Sequence, residues 1–390
     1  MQPAMLIRLR PLGPWRYGPG DGAQDRLDTT FRSDRLYSAL TLAMRQLGFL
    51  EPWLDATTRS EAPALAWSSL FPFQAETLFA PPPASAWPPP PSLVTSPSPL
   101  FLTKLRWSAA RFVPLSLIES ILTGQKVLAD QWLPDPESGC LLRRDRPSAT
   151  PFRIALRSTA AVDRLTGVSS RASALACVEF ESSSGLWTVI RFRNAAAESV
   201  WADRLSGAFR LLADTGMGAR RTSGWGHAHM PEFQRGEWPA LLMPKLARAI
   251  GTNRPGTDSG AVLYWLLSLY SPAAADTIDW SAGEYRLTVR GGRVENASPA
   301  AGQKKSLRMI SEGSVVAARS EPIGSSLNVA PDGFSRPVRR SGIALALELP
   351  AVAPAPAEQA VEMPPEGFEP APCEPPAESA PAPEEPAHEL

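Results

Sequence analysis

Residues 214–226 read Asp-Thr-Gly-Met-Gly-Ala-Arg-Arg-Thr-Ser-Gly-Trp-Gly. This stretch, together with the segments on either side of it, indicates the fold. Four glycines enclose two adjacent arginines. Glycine accepts positive φ angles and has no side chain to keep a ligand away from the main-chain N–H groups. A loop of this composition can therefore bind phosphate groups through its backbone and its arginines.

The segment before the loop has the periodicity of an amphipathic helix. Apolar residues recur at helical spacing over 198–213, at Val200, Trp201, Leu205, Phe209 and Leu212. This pattern predicts a helix that ends where the glycines begin.

The segment after the loop alternates as a strand would, at Trp225, His227, His229 and Phe233. The predicted order is helix, glycine loop, strand. A Walker loop and a dinucleotide fingerprint both lead from a strand into a helix, so this order excludes them. A simple helix C-cap followed by a tight turn stays open as an alternative.

The charge of the chain is unevenly distributed. The 390 residues hold 39 Lys plus Arg and 39 Asp plus Glu, but the last forty contain nine Glu and no Lys or Arg. The rest of the chain therefore has 39 basic against 30 acidic residues, and 34 of the 39 are arginine. Arginine suits bidentate phosphate contacts and stacking on bases, so this composition is compatible with nucleic-acid binding.

The cysteines and the hydropathy pattern bear on the cellular compartment. Cys140, Cys177 and Cys373 are far apart and form no CxxC motif, which argues for a reducing compartment and against a structural zinc site. No apolar run reaches the roughly 20 residues of a membrane helix, and no signal peptide is recognisable. We expect a cytoplasmic protein with no membrane association, metal or cofactor.

The beginning of the chain predicts a strand followed by a helix. Residues 5–11 alternate as a strand, and Ser33 is a favourable N-cap with Asp34 in the first turn. The helical pattern that follows ends at Gly48. A strand followed by a helix is the opening of a ferredoxin-like unit.

Several motifs resemble those of one family. A glycine-rich, arginine-bearing loop between a helix and a strand resembles the RAMP proteins of CRISPR systems, and further segments resemble their type III-A handle-binding group, Csm subunit four. Those segments are Phe-Arg-Ser-Asp-Arg-Leu-Tyr-Ser-Ala-Leu at 31–40, Ser-Ser-Leu-Phe-Pro-Phe at 68–73, Val-Asp-Arg-Leu-Thr-Gly at 162–167, Glu-Gly-Ser at 312–314 and Pro-Val-Arg-Arg-Ser-Gly at 337–342. They follow the family's order. Arg35 stands where the family usually has Thr, and Arg339 stands where an aromatic residue is common.

The resemblance implies an α+β fold of two ferredoxin-like (RRM-like) RAMP domains. The N-terminal domain would span 1–234, with a β-hairpin thumb at about 151–192 and the glycine loop at 214–226. The C-terminal domain would span 235–350. Residues 351–390 are rich in Pro, Ala and Glu and predict a disordered tail.

The resemblance also implies a non-catalytic crRNA-binding subunit of a type III-A effector complex in antiviral defence. It would cap the crRNA 5′ handle, contact the large palm-domain subunit Cas ten (Csm one) and the backbone subunit Csm three, and meet target RNA indirectly. The predicted RNA-binding residues are Ser33, Arg35, Arg157, Arg164, Thr166, Arg171, Gly216, Met217, Gly218, Arg220, Arg221, Ser223, Gly224, Trp225, Gly226, Lys304, Lys305 and Arg339.

Catalysis has little support in the sequence. His227 and His229 would share one strand face, but no second cluster of His, Cys or carboxylates stands at ligand spacing. We therefore expect no catalytic residue and no enzymatic activity. Two alternatives stay open: the handle-binding RAMP subunit of a Cmr-type or other type III complex, and a crRNA-processing RAMP endonuclease that would use these histidines.

Overall fold

The computed structural model describes residues 2–18, 27–96, 99–145, 150–252, 260–292, 294 and 302–350. These residues belong to one compact unit. The segment 351–390, predicted to be a disordered tail, lies outside the described residues. No helix in the described ranges is both long enough and apolar enough to cross a membrane.

The described residues form six α-helices and twenty-one strands. The α-helices are α1 Ser33–Gln46, α2 Leu50–Ala56, α3 Leu100–Ser108, α4 Leu115–Leu122, α5 Ala195–Thr215 and α6 Pro244–Thr252. The first strands are β1 Gln2–Leu9, β2 Leu65–Trp67, β3 Phe71–Gln74, β4 Thr77–Ala80, β5 Val94–Thr95, β6 Val113–Pro114, β7 Val127–Leu128, β8 Trp132–Pro134, β9 Leu141–Arg143, β10 Phe152–Val162, β11 Ser169–Phe180, β12 Ser184–Phe192 and β13 Glu232–Trp238. The later strands are β14 Val262–Leu266, β15 Ile278–Glu284, β16 Leu287–Arg290, β17 Leu307–Ile310, β18 Val315–Ala318, β19 Gly324–Asn328, β20 Arg339–Ile343 and β21 Ala346–Glu348.

The largest sheet has the strand order β13-β1-β12-β3-β4-β6, and β2 also pairs with β12. Its ladders are antiparallel; in the centre Leu6 of β1 lies opposite Val189 of β12 and Gln234 of β13. Because β12 is buried at nearly every position, both faces of the sheet are covered there. Helix α5 contacts β1 and β12, and it also packs against α1.

An aromatic cluster joins these helices to the sheet. Tyr37 of α1 stacks on Trp67 of β2 with ring centroids 5.6 Å apart, and Trp53 of α2 lies 6.0 Å from the same tyrosine. Trp201 of α5 meets Trp53 edge-on at 5.6 Å. Such pairs contribute about 0.5–1.5 kcal/mol each beyond their buried area, so this cluster anchors α5, the helix that leads into the glycine loop, on α2.

The C-terminal part of the chain contains a second sheet, in the order β15-β18-β14-β21. Trp265 and Leu347 of this sheet belong to the same hydrophobic core as the strands of the large sheet. On β14 the neighbouring Tyr264 and Leu266 belong to a smaller, separate cluster. Strand β14 is therefore covered on both faces.

Strands β10 and β11 form a long antiparallel hairpin, in which Leu156 lies opposite Ala176. The carboxylate of Asp163 closes its turn by accepting hydrogen bonds from the N–H groups of Leu165 and Thr166, at 2.7 and 3.1 Å. Gly167 completes the turn at a φ of +67°. The sequence Asp-Arg-Leu-Thr-Gly is thus a turn whose local hydrogen bonds are made by its own side chains.

Three details differ from the sequence predictions. Arg32, rather than Ser33, is the N-cap of α1, because Ser33 already has helical geometry. Strand β13 starts at Glu232, so Trp225, His227 and His229 precede it, and only Ala228 forms an isolated bridge with Pro11. The third difference is on α5, where Val200 is exposed instead of belonging to the buried stripe.

Candidate nucleic-acid interface

Helix α5 is capped at both ends, and its C-terminal cap begins the glycine loop. Asn194 accepts a hydrogen bond from the N–H of Ala197 at 2.9 Å, as an N-cap side chain does. At the other end Gly216 has a φ of +81° and donates its N–H to the carbonyl of Leu212 at 2.9 Å. Glycine favours this left-handed geometry, so the chain turns out of the helix here.

Three of the four glycines make room for the protein's own backbone. A Cβ on Gly226 would lie 2.0 Å from the carbonyl oxygen of Met217, and one on Gly218 would lie 2.5 Å from that of Arg16. A Cβ on Gly216 would lie 2.9 Å from the carbonyl oxygen of Trp225. These glycines are needed for close packing of the loop, and only Gly224 faces open space.

Most N–H groups of the loop are already used. Hydrogen bonds run from Met217 to Gly226 O at 3.0 Å, from Gly226 to Pro14 O at 2.9 Å, from Ala219 to Arg16 O at 2.9 Å, from Ser223 to Arg220 O at 2.9 Å, from Gly224 to Arg221 O at 3.0 Å and from Trp225 to Arg220 O at 3.3 Å. Met217 is also buried. We predicted that N–H groups throughout 216–226 bind phosphate. Most of these groups have protein partners, so only the remaining N–H groups are available for a phosphate.

A shorter run of donors stays available. The N–H groups of Gly218, Arg220, Arg221 and Thr222 have no hydrogen-bond partner in the described part of the chain, and all four residues are exposed. Arg220 adopts left-handed geometry with a φ of +63°, and a three-ten turn follows over Arg221–Ser223. Where the backbone changes between left-handed and right-handed conformations, successive N–H groups form a concave site for anions.

The two arginines of this run are exposed as well. Neither Arg220 nor Arg221 has an ion pair with any described carboxylate. Two unpaired guanidinium groups beside free N–H groups give the tip of the loop a positive charge that the protein itself does not neutralise. This tip, defined here as residues 218–222, is the part of the loop best suited to a phosphate.

The histidines next to the loop take part in its structure. The Nε2 of His227 lies 3.4 Å from the carbonyl of Arg221, and the carbonyl of His227 accepts hydrogen bonds from Leu12 N–H and Trp15 Nε1. His229 is exposed, and its N–H donates to Arg10 O at 2.8 Å. Within the described ranges, no group of three His, Cys, Asp or Glu side chains is arranged to hold a metal. Trp225 is half-buried.

The other predicted basic residues are distributed over the hairpin and the C-terminal strands. Arg157 on β10 pairs with Glu179 at 2.6 Å, and this hydrogen-bonded carboxylate raises its pKa. Arg164 and Thr166 are exposed in the hairpin turn, and the backbone of Arg171 lies in β11. Among the predicted residues of the C-terminal part, Lys304 is half-buried, Lys305 pairs with Asp332 at 2.6 Å, and Arg339 donates to Ser326 O at 3.3 Å.

Two predicted RNA contacts, Ser33 and Arg35, make hydrogen bonds within the protein. Ser33 is buried; its N–H donates to Ser69 Oγ at 2.8 Å and its own Oγ accepts from Leu269 N–H at 3.0 Å. Arg35 donates to the carbonyl of Gly18, and burial together with the nearby charge of Arg290 lowers its pKa to about 10. The hydroxyl of Ser33 therefore links α1 to the C-terminal part of the chain.

Sequence reasoning missed a buried ionic cluster beside these residues. Asp34 contacts the guanidinium groups of Arg290 and Arg340, and the three side chains are almost completely buried. Next to them Arg32 pairs with Glu312 at 2.5 Å. Burial alone would raise the pKa of Asp34, but the two arginines outweigh it and hold the pKa below its usual range. The available signal was the carboxylate in the first turn of α1, which we assigned to the helix dipole.

The C-terminal part of the chain is similar to a known protein family. Residues 259–349 match the family model of the CRISPR Csm4 C-terminal domain. This part of the chain is similar to the C-terminal domain of Csm4 proteins. The resemblance inferred from the motifs of the sequence is confirmed there. No curated protein is significantly similar to the chain in sequence.

Solved structures with the same fold belong to CRISPR complexes. One is a chain of the Csm3-Csm4 subcomplex of a type III-A CRISPR-Cas interference complex, with a TM-score of 0.55, 14% identity and coverage of 90% of this chain and 100% of that chain. Another is a chain of a Csm1-Csm4 cassette in complex with cA4, with a TM-score of 0.52, 17% identity and coverage of 89% and 98%. At these identities the likeness concerns the fold.

The matched segment 259–349 supplies three of the five charged residues of the buried ionic cluster. Arg290, Glu312 and Arg340 lie within it, whereas Asp34 and Arg32 lie at the start of α1. This segment therefore holds, by charge and through the contact of β20 with α1, the helix that packs against α5, and α5 leads into the glycine loop.

Proposed function

We propose that the chain is the non-catalytic crRNA-binding subunit of a cytoplasmic type III-A CRISPR (Csm) effector complex. It would cap the crRNA 5′ handle and bridge the large polymerase subunit, Csm1 (Cas ten), to the backbone subunit Csm3. The observation that carries the proposal is the loop tip 218–222, with exposed, unpaired Arg220 and Arg221 beside free N–H groups, in a chain whose residues 259–349 match the Csm4 C-terminal domain.

The topology supports the finer description of the fold as ferredoxin-like. In the N-terminal part, β1, α1, the β2/β3 pair, β12, α5 and β13 follow one another, and the strands lie in the spatial order fourth, first, third, second. This order supports a βαββαβ unit of the ferredoxin-like kind. In this proposal the hairpin β10–β11 is the thumb, the first domain spans 1–234 and the second spans 235–350.

The chemistry of the loop tip suits single-stranded RNA. Guanidinium groups bind phosphate oxygens in a bidentate manner, and N–H groups at a change of backbone hand add donors that need no side-chain ordering. Trp225, half-buried next to the tip, would stack on a base. The exposed arginines of the hairpin, such as Arg164, would extend the contact along the RNA backbone.

We propose the partner subunits on the basis of the solved structures that share this fold. The solved chains with this fold come from structures named for Csm1-Csm4 and Csm3-Csm4 assemblies, which supports contacts of this chain with Csm1 and Csm3. Contact with target RNA would be indirect, through the crRNA. No residue is assigned a catalytic role.

The test is to co-express the chain with its neighbouring subunits and a repeat-spacer array, purify the complex and sequence the retained RNA. We expect short RNAs with one common 5′ end derived from the repeat, and fewer of them with Arg220→Ala/Arg221→Ala. Arg45→Ala, which removes an exposed arginine of α1, is the control and should retain the RNA. Retained RNA without a common 5′ end would refute the proposal.

A cleavage assay distinguishes the proposed RNA-binding role from the endonuclease alternative. Purified chain is incubated with a repeat RNA, alongside a His227→Ala/His229→Ala variant. We expect no cleavage by either protein. Cleavage by the wild type that the double variant loses would make the chain an endonuclease.

A further inference from the structure

A second candidate site lies in the segment between β4 and β10, separate in sequence from the glycine loop. A polar cavity of about 300 Å³ opens there between α3, the three-ten turn before β8 and the end of β9. Its lining includes Arg106, Asp130, Trp132 and Arg144. Pockets that hold small ligands combine an aromatic or apolar wall with a few polar groups in this way.

The walls of this cavity are fixed by packing. Trp107 of α3, which lines it, is buried and stacks on Trp87 with ring centroids 5.3 Å apart and planes 5° from parallel. The indole N–H of Trp87 donates to the carbonyl of Trp107 at 3.0 Å. On the opposite side the N–H of Arg144 donates to Gln131 O at 2.7 Å. The cavity is therefore formed by ordered elements.

Its charged groups lack partners. Neither Arg106, Arg144 nor Asp130 forms an ion pair in the described part of the chain. Their neighbour Arg143 is different: it pairs with Asp145 at 2.6 Å and lies 5.8 Å from the centre of the Trp132 ring. Two free guanidinium groups, one free carboxylate and a half-buried indole therefore line the same cavity.

We infer that this cavity binds one nucleotide of single-stranded RNA, with the phosphate on Arg106 and Arg144 and the base against Trp132. Guanidinium pairs bind phosphate, and indole rings stack on bases of any sequence. The carboxylate of Asp130 would accept a hydrogen bond from an exocyclic amine of the base or from a ribose hydroxyl. The inference rests on the proposed function in taking RNA as the ligand.

The test is fluorescence anisotropy with a labelled single-stranded RNA of ten nucleotides and the full-length chain. Arg106→Ala/Arg144→Ala and Trp132→Leu should each bind roughly tenfold more weakly, whereas Trp132→Phe, which keeps an aromatic ring, should stay close to the wild type. Arg45→Ala/Arg319→Ala removes two exposed arginines elsewhere and controls for lost charge. Thermal unfolding midpoints verify that every variant is folded.

Photocrosslinking with mass spectrometry locates the contact. We expect a peptide containing Trp132 to crosslink to RNA, and to lose the crosslink in Arg106→Ala/Arg144→Ala. Unchanged affinity of the cavity variants, with no such crosslink, overturns the inference while the common 5′ end of the retained RNA still supports the proposed function. If the cavity variants bind RNA normally but lose a co-purifying subunit, the cavity is a protein-binding site instead. A wild-type chain that binds no RNA also overturns the inference, whereas the proposed function is decided by the RNA retained in the co-expressed complex.

Discussion

Asp34 of α1 accepts two hydrogen bonds from the guanidinium group of Arg290, at 3.0 Å from Nη2 and 3.1 Å from Nε, although 256 residues separate them in sequence. The side chains are only 2% and 4% exposed. Arg340 contacts the same carboxylate and also donates to Gly291 O at 2.8 Å. One carboxylate thus joins the helix after the first strand to two strands of the matched segment 259–349.

Replacing Asp34 by Asn should destabilise the fold strongly. The substitution removes the charge that neutralises two buried guanidinium groups, and breaking one side of a buried ion pair costs about 3–5 kcal/mol. The free energy of unfolding, measured by urea denaturation, is the readout. Glu51→Gln is the matched control, because Glu51 pairs with Arg59 on the surface and its loss should leave stability near that of the wild type. Equal stabilities of the two variants would contradict this role.

The same carboxylate predicts how stability depends on pH. Its folded-state pKa is lowered, so the unfolded chain binds a proton more readily than the folded chain does. The contribution of Asp34 is therefore fully present above the unfolded pKa of about 3.9 and is lost as the pH falls through the lower folded value. Unfolding free energies measured from pH 6 down to pH 2 should fall less steeply in Asp34→Asn. Parallel curves would exclude Asp34 as the source.

Local patterns in the sequence located the loop but did not reveal what its glycines do. The helical periodicity before residue 216 and the glycine content correctly predicted a helix ending in a loop, because both signals are local. That Gly218 packs on Arg16 O and Gly226 on Met217 O depends on how distant backbone segments meet. Residue preferences within a loop do not carry that information.

The start of α1 shows the same limit. Ser33 is a favourable N-cap residue by local preference, yet in the structure its hydroxyl accepts from Leu269 N–H, 236 residues away. Arg32 takes the cap position without a side-chain hydrogen bond and pairs with Glu312 instead. Tertiary contacts override the capping preference here, because the hydroxyl of Ser33 already has a partner far away in sequence.

The glycine loop allows a stability test of these packing contacts. A residue with a Cβ in left-handed geometry costs roughly 1–2 kcal/mol of stability. Gly226→Ala should destabilise the protein by more than this, because its Cβ would also lie 2.0 Å from Met217 O. Gly207→Ala lies inside α5, where the nearest atom to a Cβ is 3.9 Å away, and should stabilise by up to about 1 kcal/mol. Thermal unfolding gives both values. A Gly226→Ala midpoint at or above that of the wild type would refute the packing role.

The loop tip predicts a specific salt dependence of RNA binding. Each phosphate contact to single-stranded nucleic acid contributes a slope of about −0.7 to log K against log salt, because binding releases counterions. If Arg220 and Arg221 each neutralise one phosphate, Arg220→Ala/Arg221→Ala should make the slope shallower by about 1.4 while the thermal unfolding midpoint stays unchanged. Arg45→Ala, on the outer surface of α1, should keep the wild-type slope. An equal slope in the double variant would mean that the two guanidinium groups stay in solvent when RNA binds, and the phosphate contact would then have to be sought at the hairpin.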